Sequence, residues 1–566
     1  MSDFLTSKKF ISFAEKAVTG VVGKFADSLN DDGPCFVSHK DYRNEYFFSG
    51  NNEFSKKVKK SSKWKLGYAI ADLTPYDFEN HNYYLGGYLT GANHFNNKVE
   101  TIVDKMQCRI IALDDSSGRG PSFFGTIDCI GFGGTDIKTV RRKFLELLAR
   151  KYPDVKPCSV NIFSTHAHSC VDTQGLWTNT ISNIKRNYKK NKKGKGTYVR
   201  GADYEYISFI TDKIAQGLLS AYEDMCPGTM TYAVKDIGEA YFTNKNRKSA
   251  TSLVTKLTRL MFIPDNEEKT PTVIASVGAH PDVAGLPTSD GCGTGRELCG
   301  EYVYYMGEHI NRAGYNFMFF NGAICAIYMA RGATNDGLSF PHRYEESMRY
   351  GKELAKITLS LTKTFEEIEN DELLAESQAT IEDMAKAAER NANYTLWYED
   401  WEPVEEKKLA PILNIALSTV KIPVTNPLIK TVGKLNLVSY KVIKEADNTY
   451  SIETEIGYME LGGDDLNIVF LPGEFCSDLL VGGDSLKAEH AYREIDFPYP
   501  CLTEIFEKDL TPFGLANDAI GYIVPDNDYI IGDFVNHYHE LICLGEYTGS
   551  SIIKGFIELK NNISYR

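Results

Sequence analysis

From Leu66 onward, short apolar runs alternate with stretches of helical periodicity, and this alternation limits the fold more than any other feature of the chain. Residues 108–113 and 123–130 read as strands, and 137–150 as a helix. Ser159–Ser164 is a further strand and Tyr204–Asp224 a helix. Residues 273–277 and 317–327 are buried-strand runs with a helix, 301–313, between them. A charged helical stretch, 344–393, follows, and strands resume over 437–461. Helices interleaved with strands that are apolar on both faces imply a sheet covered on both sides. The expected fold is α/β, a central mixed β-sheet flanked by helices. With no internal repeat and no Pro/Ser-rich linker, one large domain is the economical reading.

Before that region, residues 6–29 look helical, because Phe10, Phe13, Ala14, Ala17, Val18, Val21, Phe25 and Leu29 recur at three- and four-residue spacing. Lys8, Lys9, Lys16 and Lys24 flank the stripe. The plain expectation is a helix packing Phe10, Phe13, Val21 and Phe25 on the body; the sharper one is a surface helix touching membrane or lipid. The start has no continuous apolar signal region, and no run approaches the roughly 20 apolar residues of a membrane span. The expected location is cytoplasmic.

With 62 Lys+Arg against 76 Asp+Glu, the 566-residue chain carries a formal charge of −14. That balance argues against nucleic acid as a partner, since phosphate neutralisation needs clustered cations. One local exception is 185–200, with eight basic residues in sixteen. It reads as a solvated loop, or as a contact for phosphate or an anionic membrane. None of the twelve cysteines forms a C-x-x-C pair, and several lie in apolar runs, as reduced buried thiols do.

Three short motifs carry chemistry. Thr165-His166-Ala167-His168 follows a strand; if the extended backbone continues, residues two apart place both imidazoles on one side. Gly278-Ala279-His280-Pro281 follows the run 273–277. Glu474 lies in a Pro-Gly turn after Ile468-Val469-Phe470, where a carboxylate is costly unless paired or bound to a cation. Two His and one Glu with an open position form a known catalytic-zinc ligand set.

At these residues the chain resembles the neutral/alkaline (non-lysosomal) ceramidase family. Gly67 to Pro75 is similar to that family's G-x-G-x-A-D-I-T-P opening, Gly86-Gly87-Tyr88 to M-G-Y, and Thr126-Ile127-Asp128 to its V-S-V-D strand. Thr165 to Ser169 resembles T-H-T-H-S, Asn246-Arg247 its I-N-R-S-P, and His280-Pro281 its histidine-proline. Pro472 to Phe475 matches P-G-E-F. Leu515 to Tyr522 resembles L-x-N-x-Y-x-G-Y, and His537-Tyr538-His539-Glu540 the closing R-Y-E. The motifs keep the family's order from Gly67 to Gly545.

The resemblance implies zinc (Zn2+) held by His166, His280, Glu474 and Tyr522, with His168, Arg247 and Tyr538 in catalytic positions around the substrate. It implies an amidohydrolase that uses zinc-activated water on ceramide, another N-acylated lipid or a related small-molecule amide. The alternatives are an esterase on a different substrate, and a non-catalytic metal- or lipid-binding protein of the same fold. The division expected is an N-terminal helical extension, 1–65, and a catalytic domain, 66–566. Two departures stand out. The family's active-site serine falls at Ala326, beside Cys325, in the stretch Asn321 to Ile327. The immunoglobulin-like domain that follows the closing motif in the family is expected to be missing.

Overall fold

The computed structural model describes residues 8–60, 62–87, 96–244, 252–287, 294–330, 343–371, 374, 401–534 and 536–566. The fold is mixed α/β in one large domain. Nine strands form the larger sheet. Its spatial order is Asn316–Asn321, Thr272–Val277, Lys256–Pro264, Cys226–Asp236, Trp64–Asp72, Gln107–Asp114, Ser122–Ile127, Ser159–Ser164, with Lys407–Leu409 added on Cys226–Asp236. The pair at each edge is parallel, and a crossover helix joins its members: Glu301–Arg312 on one side, Gly134–Lys151 on the other. The other ladders are antiparallel.

The sequence pattern predicts that all strands share one sheet. Instead Phe36–Ser38, Leu413–Pro423, Val442–Lys444, Tyr450–Leu461, Leu466–Phe470 and Thr511–Phe513 form a second sheet of six. Period-two alternation marks a strand but carries no information about its partner. The two sheets face one another across a common core, in which Phe124, Met230, Leu260 and Met318 meet Ile415, Met459, Ile468 and Phe470. Helices Gly134–Lys151 and Tyr204–Asp224 pack on the outside of the larger sheet through Phe144, Leu148, Ile210 and Leu218. Helix Thr548–Asn562 packs on the outside of the smaller through Ile552, Ile553, Phe556 and Leu559. The result is four layers, with both sheets buried on both faces. Ser159–Ser164 and Thr272–Val277 are accordingly buried at every residue.

The larger sheet curls until its opposite edges touch. Phe163 and Phe320, one from each edge strand, have ring centroids 4.8 Å apart. Phe320 stacks on Phe513 at 3.9 Å, and Phe163 meets Phe470 edge-on at 5.4 Å. These four rings lie within one residue of the ends of four strands from both sheets, and each precedes a loop that leads into the histidine centre. Burying each ring contributes roughly 1.5–3 kcal/mol, so the loops start from a rigid floor.

Helical structure before residue 65 is confined to 8–28 among the described residues, and Phe36–Ser38 and Glu53–Phe54 are short strands paired with later elements. The helix differs from expectation in which face it buries. Ile11, Ala14, Ala26 and Leu29 are buried, whereas Phe13, Val21 and Phe25 are exposed by 69%, 71% and 40%. Phe13 lies in Lys8–Ala17, where Ile11 and Ala14 take the buried side, and a π turn, Val18–Val22, separates that segment from Gly23–Ser28. A π turn holds more residues than an α turn, so the apolar repeat read at 3.6 loses phase across it. The basic stretch 185–200, read as a loop, is largely helical: Thr180–Lys193 is an α-helix. No described helix is long and apolar enough to cross a membrane.

Candidate metal centre

His166 follows the edge strand Ser159–Ser164, His280 follows Thr272–Val277, the strand next to the opposite edge, and the curl brings them together. Buried Asn321 fastens the two strand ends. Its amide nitrogen donates to the carbonyls of Thr165 (2.9 Å) and Ala279 (3.1 Å), and its oxygen accepts from the Ala279 N–H. Asn517 does the same work at the outer edge. Its side chain accepts from the Ile162 N–H at 3.0 Å, and its own N–H donates to the Ile162 carbonyl at 2.7 Å. That edge strand is thus paired rather than open.

The rings of His166 and His280 lie 4.7 Å apart, His166 and His168 4.8 Å, and His168 and His280 5.6 Å. One nitrogen from each of the three can sit within 4.8 Å of the others. The pairing of His166 with His168 does not come from strand alternation. His166 has φ +67°, so the chain turns at the first histidine instead of continuing extended. Gly87 packs on His168 so closely that a Cβ there would lie 2.7 Å from the imidazole.

The donor chemistry of this cluster is specific. Nδ1 of His166 lies 2.6 Å from the Ile130 carbonyl, and Nδ1 of His280 lies 2.8 Å from that of Ile327. A carbonyl only accepts, so each Nδ1 carries the proton and each neutral ring turns a lone pair outward at Nε2. Both Nε2 atoms face the same carboxylate oxygen, Glu474 Oε2, at 3.3 Å and 3.1 Å. Three lone-pair atoms that converge in a buried place need a cation among them, either a metal or a proton. Two imidazoles and a carboxylate fit zinc. Burial would raise the Glu474 carboxyl, but the two imidazoles reverse this and hold it well below its ordinary value. Burial would lower His280, and the hydrogen bond and charge of Glu474 reverse that and raise it.

Glu474 and Tyr522 are register partners in a two-stranded parallel ribbon. Tyr522 reaches the hydroxyl of Tyr538 at 3.1 Å, and Tyr538 reaches that of Tyr328 at 2.5 Å. Burial raises all three phenols, so each remains a hydrogen-bond donor at neutral pH. The ring of Tyr328 also stacks on His280 at 4.4 Å. Sequence reasoning missed Tyr328. It read 317–327 as one strand, whereas the strand ends at Asn321, a loop follows, and Ile327–Met329 starts another ribbon. The glycine after Asn321 was the available signal. Cys325 is buried in that loop, and its N–H donates to the Phe475 carbonyl at 3.2 Å. Arg247 lies outside the described residues. Ser485, in Gly483-Asp484-Ser485-Leu486, which is similar to a lipase-type motif and reads as a loop, is buried and donates to Asp478. Asp526-Asn527-Asp528, which by sequence reads as a turn sooner than a hard-cation site, is a short 3-10 turn in which Asn527 donates to the carbonyls of Ser485 and Ile495.

Glu301 was also missed. It is fully buried, with φ +56° at the start of its helix. Its carboxylate accepts from Ser169 Oγ (2.6 Å), Ser347 Oγ (2.5 Å) and the Ala284 N–H (3.0 Å). It therefore ties the loop after His168 to the loop after His280. Burial, with some help from the charge of Asp282, pushes its carboxyl from 4.5 up to about 7 against these hydrogen bonds. A raised acid stabilises the fold fully below its unfolded value and loses that contribution as pH rises through about 7. The loss is on the order of 3 kcal/mol. Urea denaturation between pH 4.5 and 8 should show this decline, and the Glu301→Gln protein should lack it. Equal slopes in the two proteins would refute the assignment.

The chain is similar in fold to a neutral ceramidase from Pseudomonas aeruginosa, with a TM-score of 0.53 over 89% of this chain and 76% of that one. A ceramidase complexed with C2 matches with the same score over 88% and 75%. Identity is 13% in both, so the likeness is one of fold. No family model matches the chain, and no curated protein resembles it in sequence.

Proposed function

We propose that this protein is a zinc-dependent hydrolase that cleaves an amide bond in an N-acylated lipid or a related small molecule, as a ceramidase does. The observation that supports it most is the convergence of His166 Nε2 and His280 Nε2 on Glu474 Oε2, three acceptors whose lone pairs a single cation would satisfy. In this reading His166, His280 and Glu474 hold the ion, with Tyr522 as the fourth donor. Bound zinc polarises a carbonyl oxygen and makes water a competent nucleophile near neutral pH. His168, in ring contact with both metal-site histidines, takes and returns the proton. Tyr538, poised by Tyr328, donates to the substrate oxygen on which charge develops. Cys325 stays a buried core thiol, so the loss of the family serine at Ala326 leaves a water mechanism intact. A reducing, cytoplasmic location suits the eleven described cysteines, none of which is in a disulfide.

Metal analysis of the purified protein and a panel of acyl amides and esters test this. The expectation is about one zinc per chain and amide hydrolysis that a chelator abolishes and zinc restores. His168→Gln should keep the metal and lose about 10²–10⁴-fold in rate, while Cys325→Ala should lose less than roughly tenfold. Bound zinc without turnover of any amide would overturn the amidase reading; turnover of esters alone would make it an esterase. A folded, zinc-loaded but inactive Cys325→Ala protein would replace the water mechanism by a thiol one.

A further inference from the structure

Helix Thr180–Lys193 is built inside out. The residues it buries are Thr180, Asn187 and Asn191. The Asn187 amide donates to the carbonyls of Val199 (2.8 Å) and Leu435 (2.6 Å), and Asn191 exchanges hydrogen bonds with Asn30. Its apolar residues face outward: Ile181, Ile184 and Tyr188 are exposed by 57%, 37% and 38%. They stand at i, i+3 and i+7, one stripe of an α-helix. Polar groups anchor this helix to the protein, and an apolar stripe is left over.

Beside it runs the N-terminal helix, on which Phe13, Val21 and Phe25 are exposed. The two helices form one face. Phe25 stacks on Tyr188 with ring centroids 5.9 Å apart, and Lys192 Nζ donates to the Ser28 carbonyl. Cations surround the stripe. Lys185, Arg186, Lys189, Lys192 and Lys193 are exposed on one helix, and Lys9, Lys16 and Lys24 on the other. Among the described residues none of these eight forms an ion pair with a carboxylate. Asp27, the nearest acid in sequence to Lys24 and Phe25, pairs with Lys430 instead. On a chain of net charge −14 this is an uncompensated basic face.

We infer that this face docks on an anionic lipid bilayer, with Ile181, Ile184, Phe13, Val21 and Phe25 entering the acyl boundary and the lysines resting among the headgroups. Outward apolar residues flanked by Lys and Arg are the form of an interfacial helix. A nucleic acid would engage the cations but give the isoleucines nothing. A second copy would bring the same positive charge against itself. An apolar pocket of about 190 Å³ opens beside the same helix, lined by Ile184, Leu428, Ile429 and Val432, and also by Ile520 and Gly521, which lead into Tyr522. The docking face and the histidine centre therefore share a neighbourhood, but docking does not depend on the chemistry assigned to that centre.

Sedimentation of the full chain with lipid vesicles tests the inference without any substrate. Binding is expected to vesicles of phosphatidylcholine with phosphatidylserine, to weaken with salt, and to be slight with phosphatidylcholine alone. The triple variant Lys185→Glu, Lys189→Glu, Lys193→Glu should lose roughly 100-fold in vesicle affinity. Ile181→Ser with Phe13→Ser should lose binding while keeping the charge. All five side chains are exposed, and an unchanged thermal melt verifies the fold of each variant. Equal binding to neutral and anionic vesicles, no binding to either, or full binding by the folded triple variant overturns the proposal. So does self-association or binding to duplex DNA that these substitutions abolish while vesicles are ignored. Loss of amidase activity in the metal-site variants with vesicle binding intact would separate failure of the catalytic reading from failure of this one.

Discussion

Exchange of Glu474 for glutamine is expected to remove the metal and leave the fold standing. The argument rests on proton bookkeeping. Nδ1 of His166 and Nδ1 of His280 are both committed to backbone carbonyls, so both Nε2 atoms arrive as acceptors at Glu474 Oε2. A bound cation would resolve that conflict in the native protein. A glutamine amide resolves it differently, because its N–H₂ donates to an imidazole lone pair and brings no negative charge. The variant should lose zinc affinity by at least roughly 100-fold, the upper end of what removal of a ligand's supporting partner costs. Thermal melting with and without chelator gives a second measure. A ligand at a hundred times its dissociation constant adds about 2.7 kcal/mol. Chelation should therefore lower the melting temperature of the native protein and leave that of Glu474→Gln unmoved. A variant that holds zinc as the parent does, or a parent indifferent to chelation, would remove the basis for a metal centre.

Arg109→Met should be among the most destabilising single changes in the larger sheet. Arg109 Nη1 meets Asp128 Oδ1 at 2.7 Å, and both side chains are essentially inaccessible, at 2% and 0%. Asp128 also accepts from the Gln107 N–H at 3.1 Å. Burial raises the Asp128 carboxyl even with the guanidinium beside it, a sign of how costly its charge is there. Removal of the arginine strands that charge, and breaking a buried pair in this way costs about 3–5 kcal/mol, against a total stability of about 5–15 kcal/mol for a typical domain. Because Asp128 is two residues before Ile130, whose carbonyl holds His166, the damage should reach the histidine centre. Removal of both charges is a milder change. The double variant Arg109→Met, Asp128→Leu should recover much of the loss, giving a coupling of several kcal/mol in a double-mutant cycle. A single variant that costs less than about 1 kcal/mol, or losses that simply add, would show that the pair is dispensable.

Much of this architecture was legible residue by residue. Ser159–Ser164 and Tyr204–Asp224 have the bounds that their patterns predict. The strand is buried throughout, and the helix starts at Asp203, whose side chain accepts from the Tyr206 N–H as an N-cap. Such signals are local, so a linear reading captures them. The residues that gather at the histidine centre were also nameable, since each follows an apolar strand and belongs to a motif of matching order. Tyr328 and Glu301 were not. Tyr328 sits past a break hidden in a continuous apolar run, and Glu301 becomes special only because Ser169, Ala284 and Ser347 reach it from three other elements.

By itself, then, the sequence determined the alternation of strand and helix, the α/β class and the identity of the groups able to bind a cation, because periodicity and side-chain chemistry are properties of neighbouring residues. Only the tertiary structure decided that the strands divide between two stacked sheets and that the larger one curls to bring His166 to His280. It also decided that Phe13, Val21 and Phe25 turn away from the core. Each of these outcomes depends on which distant surface a segment finds, and pairing across hundreds of residues is set by packing and buried hydrogen bonds such as those of Asn321 and Asn517, which leave no periodic trace in the chain.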